Sequence, residues 1–270
     1  QRAGRCGRVA NGICIRLYSE KDFDERPAYT DPEIARTSLA SVILQMAALE
    51  LGDIVDFPFL DPPDQRQITD GVTVLTELGA IDRSAGDRVR LTPTGREMAD
   101  LPLDPRLARM LVEGERRNVR REMLVLVSAL AVIDVREYPL DERDKATAAH
   151  ARFVDGNSDF NALISLWAYL EEQAKTQSGN AFRRMCRREY LNYLRIREWQ
   201  DLHAQLSQLL DGGRRRGGRR RPDRPAPADR GSLPQRRDPD ATQGGRGSLA
   251  VDVDTERVHT ALLAGLLSHI

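Results

Sequence analysis

The 270-residue chain sets 41 lysines and arginines against 41 aspartates and glutamates, for a formal charge of zero, with 40% hydrophobic and 30% charged residues. That composition describes a globular protein with a polar surface, long enough for two or three small domains, and it gives no overall electrostatic pull toward nucleic acid. Its longest apolar run, Met123 to Ile133, is too short to cross a bilayer.

Arginine carries most of the positive charge, since Lys21, Lys145 and Lys175 are the only lysines. Cys6, Cys14 and Cys186 form no C-x-x-C pair and no ligand spacing with the four histidines. No metal site is therefore expected, and the sparse, odd cysteine count suits a reducing cytoplasm. No signal peptide is visible. The chain starts at Gln1 inside what reads as a functional loop, as a fragment would.

In chain order, the alternation of Ile13, Ile15 and Leu17 with Cys14, Arg16 and Tyr18 predicts a strand over 12–18. Asp31-Pro32 then opens a helix expected over 34–51, with Leu39, Val42, Ile43, Met46 and Leu49 on one side. The turn at 57–64 leads into a helix ending near Gly79, and two short strands around Gly86-Asp87 predict a hairpin. Helix, helix, hairpin is the winged-helix order. Another helix follows, with Thr92 or Thr94 as its cap.

From Leu101 the pattern is all helical. Asp104-Pro105 opens one helix, 119–135 is a nearly all-round apolar one expected at the centre of a bundle, and Ser158 caps another running to about Lys175. A single long helix is predicted from about Asn180 through Leu209, on apolar positions Phe182, Cys186, Tyr190, Tyr193, Ile196, Trp199, Leu202 and Leu206. Residues 211–250 hold eleven arginines and five aspartates among Gly and Pro. That stretch has too little apolar surface to offset its ordering entropy and is expected to be disordered. Val258, Leu262, Leu266 and Ile270 mark a last helical stripe.

The opening residues Gln1-Arg2-Ala3-Gly4-Arg5-Cys6-Gly7-Arg8 carry the sharpest signal. On a helix Gln1, Arg5 and Arg8 share a face. Guanidinium forks converging there match the oxygens of a phosphate. The run resembles motif VI, Q-R-x-G-R-x-G-R, of superfamily 2 helicases, the DEAH-box branch in particular. The stretches 57–64, 91–108, 158–160, 180–206 and 261–266 resemble the winged-helix and ratchet-like (HA2) regions of bacterial HrpA-type members.

The resemblance implies a mostly α chain. It would comprise the C-terminal edge of a RecA-like α/β lobe (1–29), a winged helix (30–100), a ratchet-like helical bundle (101–210), an Arg/Gly/Pro-rich insertion (211–250) and the bundle's last helix (251–270). It also implies an ATP-dependent RNA helicase acting 3′ to 5′ on single-stranded or structured RNA, cytoplasmic and monomeric, with no membrane partner. Gln1 would line the nucleotide site, Arg5 would contact the γ-phosphate and Arg8 would be the arginine finger, while Arg2 would make a structural ion pair. Its other partner would be the upstream RecA-like lobe. That lobe would hold Mg²⁺, because no P-loop and no D-E-A-H occur in this sequence, and the fragment alone is expected to be inactive.

A second candidate site follows from the same resemblance. In DEAH helicases the ratchet-like domain forms one wall of the RNA channel, and Arg183, Arg184, Arg187, Arg188, Asn192, Arg195 and Arg197 decorate the predicted long helix outside its apolar stripe. Such residues would hold phosphates without reading sequence. A solvated arginine face is the plainer alternative for them. His150, His203, Trp167, Trp199, Tyr190 and Tyr193 read as packing residues rather than ligands or base-stacking platforms. A non-catalytic RNA-binding adaptor that has kept the accessory domains is the alternative to the enzyme. A winged-helix DNA reader fits poorly, since 64–79 has one arginine and three acids.

Overall fold

The computed structural model describes residues 7, 11–26, 38–82, 89–156, 158–217 and 253–266, with side chains described as far as residue 212 in the 158–217 stretch. Gln1, Arg2, Arg5 and Arg8, the hairpin turn, the helix start at Asp31 and almost all of the Arg-rich insertion lie outside the described residues.

The first described stretch corrects one expectation. Residues 11–18 run without a strand, and Ile13, Ile15 and Leu17 are all strongly exposed. A strand needs a ladder partner, and no described strand pairs with 12–18. A short helix α1 (Glu20–Asp24) follows, capped by the Ser19 hydroxyl.

Three helices and a hairpin come next: α2 (Leu39–Ala48), α3 (Gln65–Glu77), β1 (Ile81–Asp82), β2 (Arg90–Leu91) and α4 (Pro93–Ala99). The strands are antiparallel, with Ile81 opposite Leu91. Local chemistry sets most of the ends. The Asp64 side chain accepts from Arg66 N–H to start α3, and Gly79 at φ 66° stops it in a Schellman turn, with Ala80 N–H donating to Leu75 C=O at 2.8 Å. Thr92 caps α4, and its hydroxyl also reaches the Gly79 carbonyl at 2.6 Å, tying helix start to hairpin. A Cβ at Gly95 would lie 1.9 Å from the Ala80 carbonyl oxygen, so α4 can sit this close to β1 only without a side chain there.

The stop of α2 comes earlier than expected. Ala48 is its last residue, and Glu50 takes φ 55° so that Leu51 N–H can reach the Met46 carbonyl. The apolar face of α2, through Leu39, Ile43 and Leu44, packs on Ile68, Val72 and Leu75 of α3.

The rest is a helical bundle: α5 (Pro105–Arg116), α6 (Arg120–Ala131), α7 (Arg143–His150), α8 (Asp159–Thr176), α9 (Gly179–Arg188), α10 (Tyr193–Gly217) and α11 (Thr255–Leu266). The α6 helix buries six residues in a row, Met123 to Ser128, as its all-round apolar sequence demands. Trp199 on α10 is 1% exposed and donates its indole N–H to the Val125 carbonyl and the Ser128 hydroxyl, with the Trp167 ring tilted against it, centroids 4.9 Å apart. The tryptophans are therefore core. The α11 helix lies along α5, and a Cβ at Gly265 would come within 2.4 Å of the Arg106 carbonyl.

The predicted long helix is two helices. After Arg188 the chain turns through Tyr190 at φ 55°, and Leu191 N–H closes a Schellman turn on the Cys186 carbonyl at 2.9 Å. Residues 190–192 then pair with 135–137: Glu137 N–H donates to Tyr190 C=O, and Asn192 N–H to Val135 C=O, both at 2.8 Å. A continuous helix would forfeit that bridge.

Candidate nucleic-acid interface

The break at 189–192 decides what each candidate arginine can do. On α9, Phe182, Met185 and Cys186 are buried while Arg183, Arg184, Arg187 and Arg188 share the opposite, exposed face. Burial, with the nearby Glu189 charge, pushes the Cys186 thiol up to about 11, so that position is inert packing.

Within that face the four guanidiniums are not equivalent. Arg183 lies over the Tyr193 ring with its Cζ 4.6 Å from the centroid, a cation–π contact that orients it. Arg188 makes one loose contact with Glu189, at 3.6 Å, and its side chain stays 74% exposed. The Arg184 and Arg187 side chains are exposed and make no hydrogen bond or ion pair among the described residues. Desolvation and rearrangement costs for these last two are therefore small, which suits them to an incoming anion.

Of the other three candidates, Asn192 and Arg195 hold the fold together. Asn192 caps α10 by accepting from Leu194 and Arg195 N–H, and its amide donates to Glu137 at 2.7 Å. Arg195 donates to the Asp134 carbonyl at 2.9 Å, across 61 residues of chain. Arg197 forms an exposed pair with Asp201 at 3.6 Å, worth little in water.

Beneath the α9 face is a network that sequence reading did not single out. Glu189 receives hydrogen bonds from Arg152 and from the Tyr169 hydroxyl, and Arg152 stacks over the Phe153 and Tyr169 rings. Burial and the Glu189 carboxylate hold the Tyr169 phenol above its usual range. The Glu189 carbonyl accepts from His150 Nε2 at 3.0 Å, leaving His150 Nδ1 buried without a partner among the described residues. Burial accordingly holds His150 below the usual histidine value. These partners lie 20 to 39 residues apart, and no local pattern announces them.

Next to the bridge, burial raises the Asp134 carboxyl, but hydrogen bonds and charge from Arg136 outweigh it and bring the net below the usual range. Gln1, Arg5 and Arg8, expected at a nucleotide site, lie outside the described residues. Their neighbour Gly7 takes φ 87°, a conformation open to glycine. Among the described residues no three His, Cys, Asp or Glu side chains gather as metal ligands, and no helix is long and apolar enough to cross a membrane.

Comparison with known proteins places this geometry in context. Residues 71–103 match the model for the helicase associated domain (HA2), winged-helix, and residues 104–190 the model for the helicase associated domain (HA2), ratchet-like. The whole chain is similar to the ATP-dependent RNA helicase HrpA of Escherichia coli, 50% identical and covering 18% of that protein. It is likewise similar to the HrpA homolog of Haemophilus influenzae, 47% identical and covering 19%. Human ATP-dependent RNA helicase DHX33 aligns with 77% of the chain at 32% identity, the aligned part being 29% of that protein. The chain thus spans under a third of the length of these relatives.

Proposed function

We propose, from the premise that the chain belongs to the DEAH-box helicase family, HrpA type, with its helicase-associated winged-helix and ratchet-like domains, that it is the coupling segment of a cytoplasmic, monomeric ATP-dependent RNA helicase. Gln1, Arg5 and Arg8 complete the ATP site at its front. Arg5 contacts the γ-phosphate and Arg8 neutralises charge on the transferring phosphoryl group, a role worth roughly 10³–10⁵ in rate for arginine fingers. Mg²⁺ belongs outside these 270 residues, because they contain no P-loop and no D-E-A-H.

The observation that carries the RNA side is the α9 face, where Arg184 and Arg187 are exposed and unengaged among the described residues, flanked by Arg183 and Arg188. Phosphates of single-stranded RNA are the natural ligands for unpaired guanidiniums, and such contacts give affinity without sequence information. The rigid seat under that face, Glu189 with Arg152 and Tyr169, lets a movement of the motor reach the RNA as a push toward its 5′ end.

The test is RNA-stimulated ATP hydrolysis by the full-length gene product, wild type beside Arg8→Ala and Arg184→Ala/Arg187→Ala. The Arg8 variant is expected to lose about 10³ or more in rate. The α9 variant should need more RNA for half-maximal stimulation, with the saturated rate unchanged and a salt slope shallower by roughly one to two. Absence of RNA-stimulated turnover in the wild type would overturn the reading.

A further inference from the structure

The zero net charge conceals two opposite blocks. Residues 38–103 carry eleven carboxylates against five arginines, while residues 211–250 carry eleven arginines against five aspartates. The acidic block also holds an open apolar cleft of about 680 Å³, floored by Ile43, Met46, Ile54 and Val89. Glu50, Asp53 and Asp56 rim it. Among the described residues none of these three carboxylates has a cation within ion-pair distance, in contrast to the bundle, where Glu113, Glu115 and Glu189 are each bound by arginine.

An apolar floor inside a ring of carboxylates without a cation partner among the described residues fits a short segment with one aliphatic side chain between arginines. The chain contains that pattern once in its Arg-rich block: Arg230-Gly231-Ser232-Leu233-Pro234-Gln235-Arg236-Arg237, with Leu233 the sole large aliphatic residue between 211 and 248. We infer that the winged-helix cleft is a docking site for this chain's own residues 230–237, with Leu233 on the apolar floor and Arg230 and Arg236 on the carboxylate rim.

Chain geometry allows it. The end of α10 is tethered beside the winged helix: Asp211 binds Arg120 at 2.7 Å, and Arg120 binds Glu115 at 2.9 Å. The neighbouring Arg116 reaches Glu97 at 3.1 Å and Thr94 at 2.9 Å on α4. From Gly217 to Arg230 is thirteen residues, about 43 Å when extended, and a longer stretch is left to return to α11. Charge complementarity also separates this occupant from RNA, which the same carboxylates would repel.

A photoreactive benzoylphenylalanine in place of Ser232, in the full 270-residue chain, tests the docking. Irradiation is expected to join it to peptides containing residues 43–56 or 89. The yield should fall severalfold in Glu50→Gln/Asp53→Asn/Asp56→Asn, in Leu233→Ser, and in 1 M salt, where the Debye length is about 3 Å. Asn at 53 keeps the oxygen that accepts from Val55 N–H, and unchanged thermal melting would show that the triple variant is folded. Cross-links confined to the α9 face, cross-links only to added single-stranded RNA, or a winged-helix yield indifferent to the triple variant would each overturn the proposal.

Discussion

The winged-helix part and the helical bundle are built from the same alphabet but hold together differently. In the bundle, arginines reach across helices to carboxylates and carbonyls: Arg152 to Glu189, Arg120 to Glu115 and Asp211, Arg195 to the Asp134 carbonyl. In the winged helix the ends are set by caps and Schellman turns, and the charged groups mostly face water. Both regions use caps and Schellman turns, but among the described residues only the bundle adds arginine–carboxylate pairs within itself. This contrast gives the unengaged Arg184 and Arg187 their meaning, because they are exceptions in a region that usually pairs its guanidiniums.

The contrast can be broken hardest at the centre of the bundle. Trp199→Ala removes a fully buried indole and also strips a donor from the Val125 carbonyl and the Ser128 hydroxyl. A loss of about 3–5 kcal/mol is expected, read by denaturant unfolding followed through far-UV circular dichroism. A loss below about 1 kcal/mol would mean that the cross-linked framework tolerates a hole at its centre, against the packing argument.

Acid should loosen the bundle before the winged helix. The His150 pKa is lowered, chiefly by burial, so the folded state binds its proton less readily than the unfolded chain, whose value is near 6.5. Stability from this group is fully present above that value and is lost as pH falls below it. Protonation would place an N–H on Nδ1, which has no partner among the described residues, beside Arg136, whose charge also opposes it. Asp134 and Glu113, both held below the usual carboxylate range in spite of burial, add a second loss on the same side at lower pH. Melting temperature is therefore expected to fall between pH 7 and 5.5, with a shallower slope in His150→Gln. An equal slope in the variant would remove His150 from the account.

Much of the fold was legible because the signals are local. Asp64, Thr92-Pro93, Asp104-Pro105 and Ser158 all start helices where their chemistry predicts, each through a side-chain oxygen accepting a first-turn N–H. The break between α9 and α10 was not legible, since a tyrosine in left-handed conformation carries no warning and the cause, pairing with 135–137, lies 55 residues earlier. The strand expected at 12–18 failed for the converse reason: alternation marks a strand only when a partner is present. At the candidate interface the arginine face was readable as composition. Which arginines are engaged was not, because Asp134 and Glu137, the partners that bind Arg195 and Asn192, come from a distant loop.

The finest test compares two residues in one unusual backbone state. Glu50 and Tyr190 both sit at φ 55° as the left-handed residue of a Schellman stop, one in the winged helix and one in the bundle. For a side-chain-bearing residue that conformation costs on the order of 1 kcal/mol, which glycine avoids. The Glu50 side chain is exposed and makes no hydrogen bond or ion pair among the described residues, so Glu50→Gly, which keeps the backbone bond to Ala47, is expected to raise stability by a few tenths to about 1 kcal/mol. Tyr190 is half-buried beside the Arg136–Leu191 bridge, so Tyr190→Gly forfeits side-chain burial that offsets the relief and should give no gain. Thermal melting of the two variants reads the difference directly. A gain at 190 matching that at 50 would show that the Tyr190 side chain contributes nothing, and that the bundle's stop, like the winged helix's, is held by backbone alone.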